Sequence, residues 1–125
     1  MADYEKRKEA FRKRTKAYAS ATIRLYCSLP NNRAEVQVLG KQLLRSGTSV
    51  AANYREASRA RTDAEFTSKV DQCTQEADES MLWLELLRDD CGIRSDVLDQ
   101  LVAESDELIA IFVSMSRKVK ARNKG

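Results

Sequence analysis

Apolar and small side chains recur at alternating steps of three and four residues through nearly the whole chain, and only three short stretches break the pattern. That spacing matches the α-helical period of about 3.6 residues and gives each helix one buried stripe. Turn chemistry is scarce. The 125 residues include four glycines and one proline, whereas an all-β chain needs turn residues about every ten positions. Helices are therefore the expected elements.

The first helix is expected over about 3–28, where Tyr4, Phe11, Tyr18 and Leu25 recur every seven residues with Thr15, Thr22 and Leu29 between them. "SLPNNR" ends it, because Pro30 disfavours helix at the preceding residue. Asn31 or Asn32 is suited to cap the next helix. That second helix, about 33–60, carries Val36, Leu43, Val50 and Ala57 on one track and Gly40, Gly47 and Tyr54 on the other. The third, about 63–91, opens on Thr62 and Glu65, the spacing of a capping box in which hydroxyl and carboxylate each accept a free backbone N–H. Its stripe is Phe66, Val70, Cys73, Ala77, Ser80, Leu84, Leu87 and Cys91, and Gly92 is a natural left-handed stop. The fourth, about 95–120, runs through Leu98, Leu101, Ser105, Leu108, Phe112, Met115 and Val119. Its basic tail, 117–125, is expected to fray.

Helices of this length with connections of a few residues must run up-down-up-down and close on a common core, which predicts an all-α four-helix bundle. The chain length suits one domain, 1–125, and no linker or repeat divides it. One stretch exceeds what a lone bundle needs. "MLWLELL", residues 81–87, can turn Leu84 and Leu87 to the core, so Leu82, Trp83 or Leu86 must point elsewhere. An apolar patch of that kind usually marks an interface. The third helix is expected to be buried on two sides, by its own bundle and by a second copy.

No run of about eighteen apolar residues predicts a membrane span, and the charged start "MADYEKRKEAFRKRTKAY" lacks the apolar region of a secretion signal. A cytoplasmic protein with no membrane partner is expected. Cys27, Cys73 and Cys91 are odd in number and irregular in spacing, which points to free thiols rather than disulfides or a zinc site.

Net charge is +3, but the charges are segregated. Residues 1–24 hold eight Lys/Arg against three acids, 33–61 six against two, 62–113 three against fourteen, and the stretch from 114 five against none. Two arrangements are open. Basic and acidic helices can neutralise one another, or the basic ones can present a face to an anionic partner such as nucleic acid.

"QLLRSGTSVAANYREA", residues 42–57, places small and polar residues inside a helix. Glycine there costs about 1 kcal/mol relative to alanine, so Gly40 and Gly47, at inward positions, are expected to allow close helix packing. Phe11, Tyr18 and Phe112 are the candidates to fill the space. "SGTS" lacks the spacing of a phosphate loop. Arg45, Arg55 and Arg59 either pair with the acidic third helix or offer bidentate forks to phosphates. Asn53 is a candidate for a polar contact between helices.

The segment from Leu29-Pro30 through Gln42-Leu43-Leu44-Arg45-Ser46-Gly47-Thr48-Ser49, Ala52-Asn53-Tyr54-Arg55-Glu56-Ala57 and Glu65-Phe66 to Glu76 and Glu79 near Trp83 resembles the four-helix-bundle family encoded in intervening sequences of bacterial 23S ribosomal RNA genes. The likeness is dense over about residues 25–90. The chain is also similar to the accessory protein of diversity-generating retroelements, a pentameric bundle with a basic surface that meets nucleic acid and a reverse transcriptase. The resemblance implies a bundle assembled as a ring-like homopentamer, and it sets Arg45, Asn53, Glu56 and Glu76 at signature positions.

The chain has no histidine. Ser-His and Cys-His nucleophile pairs are thereby excluded, as are the Glu-x-x-His ligands of di-iron bundles. The Glu76/Glu79 and Glu104/Glu107 pairs read as solvated faces, and Cys73 and Cys91 as small core residues. The expectation is a protein that is not an enzyme, with no cofactor and no metal. It is expected to bind RNA or DNA through Arg12, Lys13, Lys16, Lys41, Arg45, Arg55, Arg59, Arg61, Arg117, Lys118, Lys120 and Arg122. Gly40, Gly47, Asn53, Glu56 and Glu76 are expected to be structural, and Leu82, Trp83 and Leu86 to join copies. The alternative is a protein-interaction scaffold whose acidic helices meet a basic protein, with no nucleic-acid role.

Overall fold

The computed structural model describes residues 2–124. Helices α1 (Asp3–Ser28), α2 (Ala34–Ala57), α3 (Asp63–Asp89) and α4 (Asp96–Lys124) each pack on their neighbours in sequence, and α1 closes the ring on α4. The architecture is the up-down-up-down four-helix bundle, with no strand among the described residues. No helix among them is long and apolar enough to cross a membrane.

The predicted stripes are the core. Val36, Leu43, Val50, Leu84, Leu87, Leu98, Leu108 and Phe112 are fully enclosed. Phe11, Phe66 and Met115 are only half-buried at its edge, and Tyr4 is 59% exposed with the Lys8 ammonium over its ring. Phe11 stacks edge-on against Tyr54 and Phe112, with centroids 4.8 and 5.5 Å away. Edge-to-face pairs of this kind add about 0.5–1.5 kcal/mol beyond the area they bury.

A layer of hydroxyls crosses the middle of this apolar core. Ser46 Oγ lies 2.7 Å from Ser80 Oγ, and Tyr18 Oη 2.5 Å from Ser105 Oγ. Ser80 and Ser105 each donate to a carbonyl of their own helix, those of Glu76 and Leu101. Each hydroxyl has one proton, so Ser46 donates to Ser80 and Tyr18 donates to Ser105. Burial pushes the Tyr18 phenol up, opposed by its contacts with Ser105 and Ser80. All four helices contribute, and every member finds a partner, as buried polar groups require.

The glycines of α2 do admit close packing, but against different neighbours than the sequence suggested. A Cβ at Gly47 would overlap the Thr22 side chain, and one at Gly40 would meet Leu29 and Tyr26. Phe11, Tyr18 and Phe112 do not fill these gaps.

The helix ends also depart from expectation in places. Arg33, not Asn31 or Asn32, is the residue before α2, and no side chain caps it. The turn is held instead by Gln37, which donates to the Pro30 carbonyl, and by Arg33, which donates to the Cys91 carbonyl. Thr62 accepts from the Glu65 N–H as expected, but Glu65 reaches the backbone of Arg61 rather than that of Thr62. Gly92 has φ +70°, the left-handed stop foreseen. The tail does not fray at 117. Val119 is buried, Lys120 meets Asp71 at 2.9 Å and Arg122 meets Asp63 at 3.3 Å, so α4 continues to Lys124.

Candidate functional site

Short connections force α1 and α2 to lie side by side, and their outward edges frame a shallow groove. Its lining brings Lys16 from α1 together with Arg55 from α2 and Arg59 and Arg61 from the turn after it. Ala51, Ala52 and Glu56 of α2 and Glu65 and Lys69 from the start of α3 complete the lining. Glu56 is bound by Lys69, 2.8 Å away across the α2–α3 hairpin. Among the described residues, none of Lys16, Arg55, Arg59 and Arg61 has a carboxylate within ion-pair distance of its side chain. Arg12 anchors the rim by donating to Ser58 Oγ, which in turn donates to the Arg55 carbonyl.

Other basic residues are differently occupied. Arg14 forks onto Glu104 at 2.8 and 2.7 Å and reaches Glu107 at 3.3 Å, tying α1 to α4. Those carboxylates hold its guanidinium well above the ordinary arginine range. Lys13 pairs with Glu9 on its own helix. Arg45 turns from the groove toward α3, 3.1 Å from Glu79 and 3.6 Å from Glu76. Lys120 and Arg122 serve the α3–α4 contact. Lys41, Arg117 and Lys118 are exposed, and among the described residues they have no acidic partner. The neutralising and the surface-presenting arrangements therefore both occur, divided between Arg45 on one hand and Arg55, Arg59 and Arg61 on the other.

The signature polar residues have distinct roles. Asn53 donates to the Ser49 carbonyl of its own helix, so it does not bridge helices as expected. Glu56 and Glu76 both join α2 to α3, through Lys69 and Arg45. Glu76 is half-buried, and its Oε2 has no hydrogen-bond donor, the Arg45 contact being too long for one. Burial first and then the nearby Glu79 charge push its carboxyl up, against the pull of Arg45.

On the outer face of α3, Leu82 is 47% exposed while Trp83 and Leu86 are half-buried. The Trp83 indole N–H is buried without an acceptor. Val38 on the neighbouring helix is 61% exposed. Sequence reasoning missed Val38 because it lies off the apolar track of α2. It missed Lys69 because only the hairpin register brings that residue to Glu56. Among the described residues no group of three or more His, Cys, Asp or Glu is placed to hold a metal ion. Cys73 is buried, which raises its thiol to about 12, Cys91 is buried, and Cys27 is exposed.

Fold and surface together define a small all-α bundle with four unpaired cations gathered at a groove on one side and an acidic pair of helices on the other. The chain belongs to the 23S rRNA-intervening sequence protein family, whose model matches residues 7–114. A solved structure described as a protein of unknown function from the S23 ribosomal protein family of Bacteroides thetaiotaomicron is similar at 34% identity and a TM-score of 0.75. The match covers 84% of this chain and 96% of that one. No curated protein matches the chain.

Proposed function

We propose that this protein is a non-catalytic, self-associating nucleic-acid-binding protein that works in the cytoplasm. The observation that carries the reading is the groove between α1 and α2, where Lys16, Arg55, Arg59 and Arg61 gather without acidic partners. Arg14, Arg45, Lys120 and Arg122, by contrast, each meet a carboxylate. Concentrating free positive charge costs self-repulsion, which an anionic partner relieves. Guanidinium forks suit phosphate oxygens. Lys41, Arg117 and Lys118 extend the same basic character along the surface.

The apolar surface at Leu82, Trp83 and Leu86, with the unpartnered Trp83 indole, supports association with further copies, in the five-membered ring that the family resemblance suggests. Repeating the groove around such a ring raises affinity through avidity without any new contact.

The test is fluorescence anisotropy of labelled RNA and DNA against the purified protein over about 50–200 mM salt, a range in which several phosphate contacts lose orders of magnitude in affinity. Steeply salt-dependent binding that falls when Arg55, Arg59 and Arg61 are replaced by Gln is the expected result. Absence of binding at the lowest salt would reject the reading and favour a protein-interaction scaffold.

A further inference from the structure

We infer that the groove takes double-stranded rather than single-stranded nucleic acid, held by its phosphate backbone; this rests on the nucleic-acid reading above. Proteins that hold single strands combine a basic channel with aromatic side chains on which the unpaired bases stack, each stack contributing about 1–3 kcal/mol. Among the described residues no aromatic side chain lines the groove, whose apolar lining is Ala51 and Ala52. Tyr26, Phe66 and Trp83 are half-buried against the core. Tyr18, Tyr54 and Phe112 are buried, and Phe11 packs edge-on against the latter two. Exposed Tyr4 has the Lys8 ammonium over its ring, 4.4 Å from the centroid.

The groove's charged lining is five cations against Glu56 and Glu65, with Glu56 held by Lys69, and the unpaired cations suit phosphate contacts. They are also rigidly spaced. Lys16 and Arg55 project from helices packed into the core, Arg59 from the turn that closes α2, and Lys41 lies on the same side of α2. Lys41 stands outside the groove, about 21 Å along α2 from Arg55 at roughly 1.5 Å of rise per residue. Cations gathered from several elements on a packed bundle gain most from a stiff polyanion of high charge density. A duplex carries twice the axial charge density of one strand, so the same arginines release more counterions on it, with a salt slope of about 0.9 per phosphate contact against about 0.7 for single strands. RNA and DNA duplexes share this chemistry, and both belong in the test.

The experiment compares three labelled probes by anisotropy in a salt series: a blunt RNA duplex, the DNA duplex of the same sequence, and one separated strand of mixed, unstructured sequence. The expected result is binding of at least one duplex about tenfold or more tighter than the strand, as the charge densities imply. The Arg55→Gln/Arg59→Gln/Arg61→Gln variant should lower the duplex salt slope by about 2.7, three contacts' worth. Circular dichroism checks that the variant keeps its helices. As a second variant, Lys16→Gln alone should lower the slope by about one contact. A strand bound as tightly as either duplex overturns this inference and leaves the broader nucleic-acid reading standing. Duplex binding that both variants leave unchanged overturns it as well, because the groove is then not the site. Failure of all three probes at the lowest salt removes both readings together.

Discussion

Gly47 and Thr22 meet so closely that neither can grow. Thr22 is fully buried and its hydroxyl is held by the Ala19 carbonyl at 2.7 Å, so it has nowhere to retreat. Gly47→Ala should therefore destabilise the protein by about 1–3 kcal/mol, the usual cost of overpacking, despite the better helix propensity of alanine. Gly40 faces the outer ends of Leu29 and Tyr26, which can swing aside. Gly40→Ala should cost clearly less, and thermal melts of the two variants side by side decide it. Glu76 gives a second test. Its carboxyl is raised by burial, so the folded state binds that proton more tightly than the unfolded chain does. By linkage, the stability due to protonated Glu76 is present at low pH and is lost as pH rises from the ordinary carboxylate value of 4.5 through the raised one. Glu76→Gln should remove this loss, so the variant gains stability relative to the parent as pH climbs from about 4 to 7. Melting temperatures of both proteins across that range measure it, and equal gaps at both ends would contradict the account.

The helices are held in register by more than apolar stripes. A stripe of leucines tolerates a shift of one turn, whereas the hydroxyl layer of Tyr18, Ser46, Ser80 and Ser105 has hydrogen-bond partners in only one alignment. Removing Ser80 Oγ strands the buried Ser46 hydroxyl, whose other acceptor, the Leu43 carbonyl, is a long 3.4 Å away. Ser80→Ala should cost about 1–3 kcal/mol, the desolvation penalty of an unpaired buried polar group. The Ser46→Ala/Ser80→Ala double variant should cost less than the sum of the two singles, since no orphan is left. Urea titrations of the four proteins give the cycle. At the C-terminus of α4, lysine and arginine lie where the helix dipole favours cations. The contacts of Lys120 with Asp71 and of Arg122 with Asp63 add a second reason for the helix to persist.

The bundle presents three unlike surfaces: a basic groove on α1–α2, an acidic side on α3–α4 and an apolar patch on the outside of α3. Self-association through that patch has a direct test. Leu82→Glu/Leu86→Glu places two charges in a surface that should be desolvated in the assembly. Sedimentation should then report a monomer where the parent protein sediments as a larger species, with helical content unchanged. A parent protein that is monomeric at micromolar concentration would refute the proposed assembly. Nucleic-acid affinity should fall with the assembly even though the groove is untouched, because avidity is lost.

Four helices, their stripes and the Gly92 stop were legible because they depend on local period and on the conformational freedom of single residues. Family membership was legible in the run from Leu29 to Trp83. Helix caps were less so: Asn31 and Asn32 have the right chemistry, yet long-range bonds from Arg33 and Gln37 hold the turn instead. The fate of each arginine was not legible at all. Arg45 and Arg59 belong to the same basic segment, but Arg45 is within reach of Glu76 and Glu79 while Arg59 shares a groove with Lys16. A sequence orders its charges along one chain. Whether a charge is neutralised depends on which other helix lies within about 4 Å of it, and only the packing of the bundle decides that.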